Sequence, residues 1–474
     1  MSFLSQYPLL KTIQTIALKR RASVYLVGGF LRDYVLSRPQ TDFDFAVDKN
    51  AVSFAKKFAD TVKGAFVLLD DEHGCGRVVK NVGGVVWTFD FADFRARTLK
   101  EDIASRDFTI NTLYADLLAV KSGDEIEEHI VDLKGARKDL KSKTIRMASI
   151  RAFKDDPLRL MRAYSLQAVL GFKIERTTAA CIKKEIKKIR TVSVERVREE
   201  FFKILSSASA AKTISDMDQA GLLPQVMPQV SVMYGVHQGG YHHLDVWKHS
   251  QEVLRQFELI VEDMKGHPDV GAYLNQEIAS NHRRLTHIKL AALVHDIGKP
   301  ETKKVEPGRT SFHGHEHVGR NITRHMCKHL KLSVKERHLL ENLVLFHLRP
   351  GYLSNFKVPS DKAVFRFFRD TKDEAVSVLL LSLADQRSTR GKLTTESDQK
   401  HHQKICLSLI KKYFDEQKKV PQVKLINGND LIRKFKLKPS ALFAKILTAV
   451  QEEQALGKIS TKQEALAFAA RLIK

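Results

Sequence analysis

The chain has 474 residues, with 79 Lys+Arg against 55 Asp+Glu, a formal net charge of +24. Its 43% apolar content and 12 prolines exclude a chain disordered throughout, and its length corresponds to roughly two to four domains. Four cysteines, Cys75, Cys181, Cys327 and Cys406, stand singly with no C-x-x-C pair, which excludes a disulfide scaffold and a zinc ribbon and fits a reducing compartment.

The opening run MSFLSQYPLLKTIQTIALKRR is too broken for a signal peptide, and no stretch reaches the ~18 apolar residues of a membrane span. A cytoplasmic chain with polyanionic partners and no membrane association is expected. Along the first 150 residues SVYLVGG, FDFAV, AFVLLDD, RVVKNV, GVVWTFDF and TLYADLLAV read as short strands between polar turns and a few helical stretches. Within them, LVGGFLRD places a double glycine, Gly28 and Gly29, between a strand and a helix, where backbone N–H groups can approach a phosphate. Asp42-Phe43-Asp44 follows in a strand, so the two carboxylates share one face and the phenylalanines the other. Adjacent like charges repel unless a cation lies between them, so the pair reads as a divalent-metal site, magnesium suiting a phosphate-bearing substrate, or, on these two residues alone, as solvated acids on an exposed edge strand. Asp90 in TFDF reads as a surface acid, with a third metal-site carboxylate as the alternative.

From Ile150 onward the periodicity is helical. Residues 134–203 hold 20 Lys+Arg and 8 Asp+Glu, half of the net excess, in amphipathic segments such as AACIKKEIKKIR, which suits a phosphate-backbone track. Linkers are expected at 225–240, 303–314, 348–360 and 416–422, where Pro or Gly falls in polar surroundings. Of the 19 histidines, 15 lie between His237 and His347, which points to a metal site in a separate domain.

LVGGFLRD followed by DFDFAV resembles motif A of class II tRNA nucleotidyltransferases, the CCA-adding enzymes and bacterial poly(A) polymerases, in the superfamily that includes DNA polymerase beta. The resemblance continues in order through SRDFTINTLYAD (105–116), VDLKGARKDLKSKTIR (131–146), DDPLRLMRAYSLQAVLGFKI (155–174) and VSVERVREEFFKIL (192–205). YHHLDVWKHSQEVL, LAALVHDIGKP, FHGHEHVGR, LFHLRP and LSLADQRSTRG resemble an HD-domain phosphohydrolase, and the tail at 425–466 resembles the C-terminal segment of the HD-bearing group. The implied fold is α+β: a polymerase-beta-like head with a mixed sheet and helices (1–147), an all-α neck for base selection and tRNA binding (148–211), a helical body (212–400, the HD domain about 240–392) and a helical tail (401–474).

By this resemblance Asp42 and Asp44 are catalytic and hold two Mg²⁺, one for the attacking 3′-hydroxyl and one for the triphosphate. Gly28, Gly29 and Arg32 cradle the triphosphate, with Asp33 orienting Arg32 or acting only at the helix start. Arg106, Asp107 and Asn111 contact ribose and phosphate, and Arg162 joins the nucleotide-binding set; Ser105 stands where the family usually has arginine. Asp156 and Arg159, i and i+3 on one helix face, choose the base: a carboxylate accepts and a guanidinium donates, which matches the adjacent donor and acceptor of C and A but not U and G. Asp155 replaces the usual glutamate.

In the body the resemblance assigns His249, His295, Asp296 and Asp385 as ligands for Mg²⁺, Mn²⁺ or Ni²⁺, with His315 and His347 where dinuclear HD proteins have further ligands. Lys299 is a phosphate-binding candidate; His313, His317, His325 and His329 read as surface or core residues. The implied activity is addition of CCA to the 3′ acceptor end of tRNA from CTP and ATP, with pyrophosphate release. A metal-dependent HD phosphohydrolase for 2′,3′-cyclic and 2′-phosphate ends accompanies it. The alternatives are A-only or CC-only addition, poly(A) polymerase (disfavoured because KGAFVLLDDEHGCGRVV resembles the CCA-adding pattern), or an HD phosphohydrolase with a non-catalytic RNA-binding head. The motifs leave the oligomeric state open.

Overall fold

The computed structural model describes residues 2–38, 41–72, 74–240, 242–307, 309–391, 393–419 and 423–473. They form two compact units, Met1–Ile204 with Met217–Val226, and Leu205–Asp216 with Met227–Lys474.

The first unit carries a seven-stranded mixed sheet of β1 (Val24–Val27), β2 (Asp42–Val47), β3 (Ala65–Asp70), β4 (Cys75–Val82), β5 (Val85–Asp93), β6 (Leu113–Asp116) and β7 (Val131–Asp132), in the order β3-β4-β5-β2-β1-β6-β7. All six strands expected from the sequence are present, and β7 is added at the edge. Strand β2 runs parallel to β5 with Phe43 opposite Phe89, Asp44 opposite Asp90 and Phe45 opposite Phe91. The phenylalanines fix that register: Phe43 stacks on Phe89 at 4.9 Å and Phe45 on Phe91 at 4.8 Å, beneath Phe54 and Phe58 of the Ala51–Val62 helix. A slip of one residue would bury the aspartates and expose four aromatic rings, so packing on one face sets the chemistry on the other.

A parallel pair, Thr144–Ile145 with Lys173–Ile174, ties the end of the head to the helices that follow, Arg159–Leu170, Arg176–Glu185 and Val194–Ser206.

The second unit is built on Val246–Asp263, Arg284–Val294, His315–His329, Val334–Phe346 and Ala375–Ser388. The apolar run AVSVLLLSLA is buried on every side, which makes Ala375–Ser388 a central helix. Two expected linkers are structured. Residues 303–314 contain a hairpin, Lys304–Glu306 paired with Arg309–Ser311. Residues 348–360 contain the Arg349–Ser354 helix, because Pro350 lies in the first turn, where its missing N–H costs nothing. At 225–240 a 3₁₀ helix spans Pro228–Met233. Of the linker expected at 416–422, residues 420–422 lie outside the described residues. The tail has its own small core of Ile426, Leu431, Ile446, Val450, Ile459, Ala465 and Ala469. Among the described residues no helix is long and apolar enough to cross a membrane.

Candidate functional site

On the open face of the head sheet, Asp42, Asp44 and Asp90 project together from β2 and β5, as the register requires. The surface reading of Asp90 is not what the structure gives: it is half-buried beside Asp44, and Arg77 Nε and Nη2 donate to its two oxygens at 2.7 Å each. Thr88 Oγ1 donates to Asp42. Burial and the Asp90 charge push the Asp44 carboxyl above its usual range, more than Arg106, the Gly29 N–H and Arg32 pull it down. Three carboxylates with this mutual repulsion are suited to divalent cations.

Gly28 adopts φ +71°, and a Cβ there would lie 2.8 Å from Arg106 Nη1 and 3.4 Å from Asp44 Oδ2. The turn therefore leaves a cradle beside the carboxylates that any other residue would fill. Arg32, on the Gly29–Val35 helix, lies at its edge. Its guanidinium donates to both oxygens of Asp33, at 2.9 and 2.6 Å, and to Asn111 Oδ1 at 2.8 Å, so Asp33 orients Arg32. Asn111 Nδ2 donates to Asp107 Oδ1 at 2.9 Å, and Arg162 donates to Asp107 Oδ2 from Nε at 2.8 Å, with Nη2 at 2.6 Å. Asp107 and Asn111, expected to touch ribose and phosphate, are buried with these atoms committed to protein partners, and Arg106 remains the more accessible member of that motif. Burial alone would raise the Asp107 carboxyl, but the Arg162 charge and bonds from Asn111, Arg162 and the Phe108 N–H lower it to about 2.

Asp156 and Arg159 depart from the expected helix face. Asp156 is extended, φ −143° and ψ 103°, between the Ala152–Asp155 helix and Arg159–Leu170. Pro157 is the reason, since the residue before proline is driven out of the helical region. The two do not bond to each other: Asp156 Oδ2 accepts from Arg196 Nη2 at 3.1 Å, and Arg159, buried, donates to the Ala152 carbonyl at 3.3 Å. Arg196, from the 192–205 motif of the neck, is a candidate site residue with no counterpart in the sequence expectations. Asp155 instead faces Arg151 at 3.6 Å, and the Ser105 hydroxyl donates to the Asp102 carbonyl at 2.7 Å. Further along, Lys183, Lys184, Lys187 and Arg190 are exposed while Ile182 and Ile189 are buried, which gives one solvated basic face.

In the second unit His249, His295 and Asp385 bring ligand atoms within 4.8 Å of one another, as do Asp296, His315 and His347. His249 Nε2 lies 2.9 Å from Asp385 Oδ1 and 3.8 Å from Asp296 Oδ2; His315 Nε2 is 3.3 Å from Asp296 Oδ1. Asp296 thus joins both groups. The Nδ1 atoms of His295, His315 and His347 each face a carbonyl three residues earlier, at 3.0, 2.7 and 2.7 Å, so Nδ1 carries the proton and Nε2 presents a lone pair to the cluster. His315 Nε2 and His347 Nε2 then face each other at 3.3 Å, and the buried His295 Nε2 lies 3.1 Å from Asp296 Oδ2. Buried lone pairs aimed at one another need a proton or a cation between them, and the residues fit a divalent metal.

Burial lowers the His249 and His347 imidazoles. Against burial, neighbouring positive charge, that of His295 when its Nε2 also holds a proton and that of Lys299, holds Asp296 well below the usual carboxylate range. Lys299 Nζ lies 2.6 Å from Asp296 Oδ2 and donates to Gln238 Oε1 at 2.6 Å. His242, which the sequence reading passed over, packs edge-on against His249 with ring centroids 4.6 Å apart. His313, His317, His325 and His329 are exposed.

A carboxylate-bearing nucleotidyltransferase sheet in one unit and an HD-type histidine and aspartate cluster in the other define the class. Known families agree: residues 24–146 match the Poly A polymerase head domain, 171–233 the "Probable RNA and SrmB- binding site of polymerase A", 246–390 the HD domain and 319–470 a tRNA nucleotidyltransferase domain 2. The chain is 32% identical to the A-adding tRNA nucleotidyltransferase of Deinococcus radiodurans, over 94% of each chain. It is 30% identical to the CC-adding tRNA nucleotidyltransferase of Thermus thermophilus, over 93% of this chain and 92% of that one. Its fold is similar to the Thermotoga maritima CCA-adding enzyme complexed with tRNA, with a TM-score of 0.61, 20% identity, and 98% of this chain and 95% of that one covered. The chain belongs to the tRNA nucleotidyltransferase family and is an HD-bearing member of it.

Proposed function

We propose that the head adds C and A residues to the 3′ end of tRNA without a template, from CTP and ATP, with release of pyrophosphate. The observation that carries this reading is the in-register face of Asp42, Asp44 and Asp90 beside the open Gly28–Gly29 turn. Asp42 and Asp44 would hold Mg²⁺, with Asp90 and Arg77 alongside; bound cations lower the cost of deprotonating the 3′-hydroxyl and of charge on the α-phosphate and the pyrophosphate. The Gly28–Gly29 turn admits the triphosphate, and Arg32 and Arg106 offset its charge. Asp107 and Asn111 act by positioning Arg32 and Arg162. Asp156 and Arg159 read the base from either side of the break at Pro157, a geometry in which Arg196 must yield Asp156 to the exocyclic amine of C or A. The exposed lysines at 183–187 hold tRNA through its backbone, and the protein acts in the cytoplasm, a reading that a tRNA substrate and single free cysteines support.

A second reading has a specific observation in its favour: the A-adding and CC-adding relatives both align over more than nine-tenths of this chain. One assay separates them. The purified protein with Mg²⁺ is given tRNAs ending at the discriminator base, at C and at CC, with CTP and ATP singly and together. The proposal predicts complete CCA on all three. Extension of only the CC-ended tRNA identifies A addition, and arrest at CC identifies CC addition.

In the body, His249, His295, Asp296 and Asp385 would hold one divalent cation and Asp296, His315 and His347 a second, supplying an acidified water and charge neutralisation for hydrolysis of 2′,3′-cyclic and 2′-phosphate ends. The hard donor set favours Mg²⁺, Mn²⁺ or Ni²⁺, and Lys299 adds positive charge for the phosphate. Metal-dependent phosphate release that survives His295→Ala with Asp296→Ala would contradict this assignment.

A further inference from the structure

His282, His287 and Glu336 form a third cluster whose ligand atoms lie within 4.8 Å of one another, and all three residues are buried. His282 Nδ1 is 2.8 Å and His287 Nε2 3.1 Å from the same oxygen, Glu336 Oε1. The other nitrogen of His287, Nδ1, faces the Arg283 carbonyl at 2.9 Å, and a carbonyl only accepts, so Nδ1 holds the proton. A neutral His287 therefore points a lone pair at a carboxylate oxygen. Either a second proton occupies that gap or a cation does. The backbone-carbonyl bond is the device that orients His295, His315 and His347 in the HD cluster, and donor separations of 2.8 and 3.1 Å lie a few tenths of an ångström inside the ~3.3–3.4 Å edge of a tetrahedral site with bonds of about 2.0–2.1 Å, an opening that small side-chain shifts supply.

We propose that His282, His287 and Glu336 bind one first-row divalent cation, best Zn²⁺, as a structural site separate from the HD cluster. Two imidazoles and one carboxylate are a borderline donor set that suits zinc better than magnesium, with a water completing the sphere. The site has a mechanical consequence. His287 lies on the Arg284–Val294 helix, which runs into His295, and Glu336 lies in the first turn of Val334–Phe346, which runs into His347. Eight residues of helix place the cluster about 12 Å along the axis from His295. The cation would pin together the starts of the two helices whose ends carry HD ligands.

The test uses the full chain carrying His295→Ala and Asp296→Ala, stripped with chelator and titrated with Zn²⁺ in excess Mg²⁺. One tight equivalent of Zn²⁺ and a rise of several degrees in the melting temperature are expected. Glu336→Gln should then lower Zn²⁺ affinity at least about 100-fold and abolish the rise. Glutamine can still accept the Ser333 N–H that Glu336 Oε2 accepts at 2.7 Å, so loss of binding would not reflect a frayed helix; His282→Gln with circular dichroism is the second arm. No tight equivalent in the His295→Ala, Asp296→Ala chain, or one that survives both Glu336→Gln and His282→Gln, overturns the proposal and leaves the cluster as a protonated hydrogen-bonded triad.

Discussion

Gly28 combines two constraints that only glycine meets, a positive φ and a missing Cβ where Arg106 and Asp44 close in. Gly28→Ala should destabilise the first unit by about 1 kcal/mol and displace Arg106, seen as a raised KM for nucleotide in an incorporation assay. Asp107 gives a pH test. Its folded pKa of about 2 lies below the ordinary value of about 3.9, so its contribution is complete above about pH 5 and is lost as the pH falls towards 2; the difference corresponds to about 2–3 kcal/mol. Melting of the wild type should steepen over that window, and Asp107→Asn should remove the steepening at the cost of lower stability at neutral pH. The shared face of Asp42 and Asp44 and the gathering of His249, His295, Asp296 and Asp385 were legible because motif spacing carries them. Arg77, Arg196, His242 and the His282–His287–Glu336 cluster were not, since their partners are brought near only by the fold. An H-x₄-H spacing and an S-x-x-E helix start were the signals present for that cluster, and neither implies proximity on its own.

Among the elements, β2 and β5 were readable because alternation is strict and aromatic stacking enforces it, whereas the base-reading segment was not. Treating Asp156 and Arg159 as i and i+3 on one helix overlooked Pro157, which ends one helix and starts the next. Proline misled in the opposite sense at 348–360, where Pro350 opens a helix instead of a linker. The head strands and the following helices are joined by a buried polar chain that runs from Asp33 through Arg32, Asn111, Asp107 and Arg162 to Glu200, to which Arg162 Nη1 comes within 3.8 Å. Glu200 also accepts from the Ser165 hydroxyl and from Lys203 Nζ at 2.8 Å. Glu200→Gln leaves Arg162 and Lys203 with a weaker partner and should cost about 1–3 kcal/mol in the melting of the first unit, with KM for nucleotide rising more than tRNA binding falls. Equal loss of both would mean general unfolding instead of a loosened Arg162.

At the scale of the molecule the +24 charge acquires a place and a role, a solvated basic face on the helices after the head. Reversing Lys183, Lys184 and Lys187 to glutamate should raise the KM for tRNA roughly tenfold and flatten the salt dependence of binding. The residues proposed for the two chemistries lie in different units, so His295→Ala with Asp296→Ala should abolish phosphate release from 2′-phosphorylated ends while nucleotide incorporation stays within about twofold of wild type. The account rests most heavily on the head carboxylates. The direct measurement is incorporation of labelled CMP and AMP into tRNA lacking its 3′ terminus, with Mg²⁺, by wild type and Asp44→Asn. Extension by the wild type and a loss of at least roughly 100–1000-fold in Asp44→Asn with tRNA binding intact are expected; incorporation by Asp44→Asn near the wild-type rate would contradict metal-assisted transfer at these carboxylates.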